Sequence, residues 1–382
     1  MHALGNGAST VRTHATGVEI VRPAAPPTAQ EIARAKALQN TSRRRPPPRA
    51  RWGLGGVAVA AGAAVTVAIT LAGGNTPTPP PGPVHLDAKG AILAAADRAE
   101  QQPIGKYWSL DIIDGQSYII RAKTGTYAVT GSQSEMFNWQ GVKPGMGEVY
   151  YARDLPAHPQ DTSLWRKAGS PSRFRVWSGD HYDSFTTKGT SWRDSGNGAG
   201  IDPRGGGKFR GRSAEELQNL PADPAKLTEM FLTQSAMGFA KPANRPATPA
   251  AIPRVQIRTV VGLLFAPVPP KVRAGMIRAL ATQPGVHSIG PDTDPLGRHG
   301  IALASNDMTN GYPEDGGTYR SRSVAVFDER TGALLSIQEE LTKPSGEYAE
   351  MKPGFIINYE TVRSAAWTDT KPGKPSTELP FS

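Results

Sequence analysis

The chain has 382 residues, no cysteine, and 43 Lys+Arg against 33 Asp+Glu. Its length supports one large domain or two ordinary ones. The missing thiols exclude disulfides, thiolate nucleophiles, iron–sulfur clusters and thiolate zinc sites. Of the +10 formal charge, +7 falls in residues 1–74, so the basic balance belongs to the N-terminal fifth of the chain.

Residues 1–51 read as a cytoplasmic arm, mostly disordered. It holds one short helix near 27–40, opened by the capping-box pattern Thr28 to Glu31 and carrying Ile32, Ala35 and Leu38. That helix is a candidate docking peptide for a cytoplasmic partner. Arg43, Arg44, Arg45, Arg49 and Arg51 follow. Next comes LGGVAVAAGAAVTVAITLA, Leu54 to Ala72, uncharged and free of proline, which is long enough to cross a bilayer as a helix. We assign residues 52–74 as a transmembrane helix and the lipid bilayer as a partner. The five arginines before the span, with no charge just after it, put the N-terminus in the cytoplasm and the rest outside. The same arginines are interrupted by Pro46 to Pro48 and abut the span, so orientation and anionic lipid account for them better than nucleic acid does. Residues 75–85 (TPTPPPGP at their centre) form a polyproline-like linker.

From 86 to 367 the pattern predicts an extracytoplasmic α+β domain. A helix from about Leu86 to Gln101 places Ile92, Leu93, Ala96 and Ala99 on one face. Lys106 to Ile113 and Ser117 to Ala122 then read as two strands of a hairpin closed by Asp114-Gly115. Strands at Thr126 to Thr130, Glu148 to Arg153, Arg173 to Trp177 and His181 to Thr186 extend an antiparallel meander. Residues 189–212 read as a mobile Gly-rich loop.

Helices resume at the capping box Ser213 to Glu216 and at Asp223-Pro224, with Leu227, Met230 and Phe231 buried. A third helix carries Val260, Leu263 and Leu264 and ends before Pro267. A fourth opens at Pro270, with Val272, Met276, Ile277 and Leu280 at helical spacing. Strands return at Val286 to Ile289, His299 to Ala304, Ser323 to Phe327, Ala333 to Glu340 and Phe355 to Tyr359. Residues 368–382 read as a disordered tail. Strands, helices and strands again, with short links, predict helices packed on an antiparallel sheet, which a curved, carrier-like sheet would also satisfy.

Three segments in this order resemble an uncharacterised family of actinomycete single-pass membrane proteins. They are the arm helix with the Arg-rich span, LPADPAKL at Leu220–Leu227, and PPKVRAGMIRAL at Pro269–Leu280. The last leads into Gln283–Val286 and Asp294–Arg298, and the hairpin Val326–Leu335 completes the pattern. The resemblance covers most of residues 28–340 and implies architecture and topology alone. The long glycine-rich loop departs from it.

Signatures of chemistry are sparse. Seven histidines are scattered with no pair at i, i+4, and neither a Gly-x-Ser-x-Gly elbow nor Ser-x-x-Lys is present. Gly205 to Lys208 is followed by Phe209 rather than Ser or Thr, which removes a phosphate-binding loop. Asp292, Asp294, Asp180 and Asp183 lack the spacing of a calcium loop and read as turn residues. Asp328 to Gly332 reads as a hairpin turn, with Gly332 taking positive φ. No catalytic residue, metal ligand or cofactor is assigned. Aromatic residues cluster in the β-rich third, and Trp108, Trp139, Tyr151 and Trp177 are the candidates for an apolar ligand groove. Three readings of function stand open: an extracytoplasmic binding or sensing module facing a lipid or envelope-protein ligand, a lipid or lipoprotein carrier, and an envelope hydrolase with a site assembled from distant positions.

Overall fold

The structure is a computed structural model that describes residues 87–143, 145–177, 182–194, 212–237, 249–311 and 317–380. The chain divides into residues 1–84 and 85–382, and every described residue belongs to the second unit. The arm helix, the five arginines and the Leu54 to Ala72 span therefore lie outside the described residues, as do 195–211 of the Gly-rich loop. Among the described residues no helix is long and apolar enough to cross a membrane.

The unit is α+β. Helix α1 (Ala88–Glu100) starts where the Asp87 carboxylate accepts from the Gly90 N–H at 2.6 Å, and it buries the small-residue stripe Ile92, Ala95, Ala96 and Ala99. Small side chains allow the turn after Phe327 to press against it. Gly332 sits there at φ 68°, and a Cβ on it would lie 2.0 Å from the Ala95 carbonyl oxygen. No other residue type fits both the conformation and the approach.

Strand β1 (Tyr107–Ala122) and strand β2 (Gly125–Gly141) form one long hairpin. Asp114-Gly115 is not its turn, which corrects the sequence reading. The chain runs straight through with a register shift between Asp114 and Gln116, and the reversal comes at Lys123-Thr124. The physical reason lies across the sheet. The Tyr359 ring rests on Gly115, where a Cβ would stand 2.7 Å from it, so this glycine serves close ring approach rather than positive φ. The Asp114 carboxylate is engaged sideways by the Ser134 hydroxyl at 2.5 Å.

The remaining strands are β3 (Glu148–Asp154), β4 (His158–Pro159), β5 (Arg173–Trp177), β6 (Tyr182–Thr186), β7 (Arg193–Asp194), β8 (Val286–Thr293), β9 (His299–Ser305), β10 (Met308–Asn310), β11 (Tyr319–Phe327), β12 (Leu334–Lys343) and β13 (Ile356–Thr368). The main sheet has the order β7-β3-β2-β1-β13-β12-β11-β9-β8, with β4 added to β2 and β10 to β11, and all its pairs are antiparallel. β5 and β6 form their own two-stranded sheet, so the expected single meander is broken there. Phe174 and Val176 of β5 pack with Tyr118, Tyr127 and Val129 at the outer end of the β1–β2 hairpin.

β13 runs well past Tyr359, where the sequence suggested an end, and pairs along β1 from Gln116 back to Tyr107. Its second half, TVRSAAWT, has little of the alternation that marks a strand, and tertiary pairing holds it extended.

The helices lie on one face of the sheet. Between α1 and the later helices comes the short α2 (Thr162–Lys167). The capping box at Ser213 forms in full and opens α3 (Ala214–Gln218). Asp223 and Pro224 open α4 (Pro224–Leu227), which widens into a π-helical turn at Thr228–Leu232. Helix α5 (Ile252–Phe265) is buried nearly all round, and α6 (Pro270–Ala281) packs beside it and against α1. Together with Trp108, Leu110, Ile112, Ile301, Leu303, Ala325, Phe327, Ile337 and Val362 from the sheet they make the main core.

Candidate functional site

Helix α5 ends at Phe265, and Ala266 to Pro269 carries the chain to α6 in an extended path. The last carbonyls of a helix lack partners within it and carry partial negative charge. Arg273, in the first turn of α6, reaches back to them. Its Nη1 donates to the Leu264 carbonyl at 2.7 Å, Nη2 to Ala266 at 2.9 Å and Nε to Val268 at 3.2 Å. The face of Trp108 lies against the guanidinium, 3.9 Å from ring centroid to Cζ. Trp108 is itself fixed, its indole N–H donating to the Phe265 carbonyl at 2.9 Å.

Directly across the β1–β13 ladder stands Trp367, its ring 5.3 Å from that of Trp108. Its indole N–H is buried and has no acceptor.

These groups line a cavity of about 150 Å³ between the sheet and the α5–α6 corner, walled by Leu110, Leu264, Phe265 and Val362 besides the two tryptophans. Gln102, Pro103 and Thr331 also border it. Its electrostatics are one-sided. Burial lowers the Arg273 guanidinium to about 9, so it stays charged at neutral pH, and no carboxylate among the described residues pairs with it. Three of its five N–H groups are taken by main-chain oxygens. A cation without a counter-charge in an apolar wall favours an anionic or strongly accepting guest. Among the described residues no carboxylate, imidazole or amine lines the cavity, and its wall offers a guest the Arg273 guanidinium and the Trp367 indole N–H.

The four aromatic residues singled out from sequence do not share one groove. Trp108 lies in the cavity. Trp139 pairs with Ser109, one residue along β1 from Trp108, and so projects from the opposite face, edge-on to Tyr107 at 5.7 Å. Tyr151 pairs with Phe137 on that same opposite face. Trp177 sits on the separate β5–β6 hairpin, 55% exposed and 5.0 Å from the Tyr182 ring. Arg273 and Trp367 were missed. A signal for Arg273 existed, because it shares the helical stripe of Ile277 and Leu280, four and seven residues on, where a solvated charge does not belong. Trp367 lay beyond the expected end of its strand and had none.

The aspartates considered for calcium are otherwise engaged. Asp294 is buried, paired with Arg298, and accepts from Thr361 at 2.9 Å, while Asp292 closes on the Thr293 N–H. Asp180 lies outside the described residues, and among the described residues no cluster of three or more ligating side chains occurs. No protein-family model matches the chain, and no curated protein matches it.

Proposed function

We propose that the chain is a membrane-anchored, extracytoplasmic binding or sensing module, and that it takes a small apolar molecule bearing an anionic group at the α5–α6 corner. The membrane anchor and its orientation rest on the Leu54 to Ala72 span and the arginines before it. The ligand class rests on one observation: Arg273, charged and without a carboxylate partner among the described residues, in the wall of a cavity lined mainly by aromatic and aliphatic groups. Size narrows the class. At about 150 Å³ the cavity matches one that holds a benzene-sized molecule, which favours a single ring or short branch over a whole acyl chain. A lipid or lipoprotein carrier would need the sheet and α5 to part further.

Full-length protein in detergent, titrated with phenylacetate and with the isosteric neutral phenylacetamide, tests the reading through tryptophan fluorescence. Phenylacetate should bind at least about tenfold more tightly, a difference equivalent to about 1.4 kcal/mol, and Arg273→Gln should abolish that preference. Equal binding of the two by the unmodified protein, or binding of neither, counts against the ligand class.

A further inference from the structure

The face of the sheet turned away from α5 and α6 carries a second concentration of charge. Asp111 of β1 points there, since its neighbours Leu110 and Ile112 belong to the helix-side core. It meets Glu135 of β2, Arg153 of β3 and Arg363 of β13. Glu135 is fully buried and accepts from Arg153 Nε at 2.5 Å and from Arg363 Nη1 at 2.7 Å. Asp111 is 5% exposed, and its Oδ1 has no hydrogen-bond partner. Burial, and then the Glu135 charge, push its carboxyl up to about 7. With Asp111 protonated, two guanidiniums face one carboxylate and have donors to spare.

Main-chain oxygens of residues 376–378 take those donors. Arg153 Nη1 donates to the Thr377 carbonyl at 2.9 Å and Nη2 to Glu378 at 2.6 Å, and Arg363 Nη1 reaches Glu378 at 3.1 Å. The Trp192 indole N–H donates to the Ser376 carbonyl at 2.7 Å, with Arg153 stacked on its ring. Farther back, the Lys371 ammonium lies 4.8 Å from the centroid of Trp139. Residues 369–380 pair with no strand, and most of their side chains are exposed, Leu379 among them at 48%. The segment expected to be a free tail is thus gripped by its carbonyls and buries little apolar surface.

We infer that Trp139, Arg153, Trp192 and Arg363 form a binding groove for an extended peptide, recognised through its main-chain carbonyls, and that the chain's own residues 369–380 are its resident occupant. The Glu135 ion pairs are complete without the segment, so the groove does not need it to hold its shape. A handful of side-chain hydrogen bonds set against the ordering of about ten residues leaves the hold marginal, so the tether's effective concentration, in the millimolar range, keeps the segment in place. A peptide of the same character can therefore exchange with it.

The test uses the full chain ended at Thr368 and a synthetic peptide of residues 369–382, followed by tryptophan fluorescence. We expect saturable binding below about 1 mM, the range a short tether supplies, weakened at least about tenfold by Trp192→Phe and in the intact chain, where the groove is already filled. A shortened chain that loses its circular dichroism and cooperative melting overturns the proposal, because the segment would then be part of the fold. So does a folded shortened chain that ignores the peptide, or one whose binding is unchanged by Trp192→Phe.

Discussion

Two sites on opposite faces of one sheet compensate buried charge in different ways. At the α5–α6 corner on the helix side one guanidinium, Arg273, is held by three carbonyls and an indole face and pairs with no carboxylate among the described residues, whereas Arg254 elsewhere on that side is paired with the buried Glu339. On the other side Arg153 and Arg363 share the Glu135 carboxylate, with the Asp111 carboxyl beside them. A buried ion is costly in either setting, and what differs is where compensation comes from. Main-chain dipoles satisfy Arg273 without cancelling its charge, so the cavity keeps a field that a guest can use. In the opposite cluster a carboxylate, Glu135, offsets the guanidiniums directly, and their leftover donors meet neutral carbonyls.

The largest effect should come from breaking the shared ion pair of Glu135 with Arg153 and Arg363. Glu135→Ala removes the carboxylate to which both Arg153 and Arg363 donate inside the sheet, and we expect a loss of about 3–5 kcal/mol in urea denaturation; a loss under about 1 kcal/mol would mean the pair is effectively solvated. Next is pH. Asp111 binds its proton more tightly folded than unfolded, so its contribution is fully present below the ordinary carboxylate range and is lost as pH rises through about 7. Stability should therefore fall between about pH 4 and 7, by at most about 4 kcal/mol, and the melting temperature of Asp111→Asn should be flatter over that window.

On the helix side, Arg273→Met keeps the stem but leaves three carbonyls without a donor. The cost should be about 1–3 kcal/mol in the same denaturation experiment, smaller than for Glu135 because water entering the cavity can replace the lost donors. The smallest effect belongs to the exposed pairs of Arg278 with Asp97 and Glu100, each at 2.6 Å. Asp97→Ala should cost no more than about 0.2–1 kcal/mol, and it calibrates how much burial adds to the other two.

Much of the scaffold could be read from the chain. Ser213, Asp223-Pro224, Pro270 and Gly332 work locally, through caps, a fixed φ or a positive φ, and local chemistry is what a sequence displays. Gly115 misled because its reason, the Tyr359 ring, is some 240 residues away in the chain. The cavity was half legible. Trp108 was found as an aromatic in a strand, but the acceptors that hold Arg273 are backbone oxygens of Leu264, Ala266 and Val268, which no side-chain pattern announces. The opposite cluster was invisible for a similar reason, since Asp111, Glu135, Arg153 and Arg363 come from four strands and meet only through register.

The pairing of β1 with β13 at the middle of the sheet also sets an order of events in time. β1, 16 residues long, is among the first strands of the domain to be made, and the strand that completes its second edge is the last. Until residues 356–368 emerge, the β1–β2 hairpin must wait with one open edge, and the closing loop spans most of the domain, which makes for slow folding. Whatever compartment the domain folds in, that edge stays open to pairing with a second copy until β13 closes it.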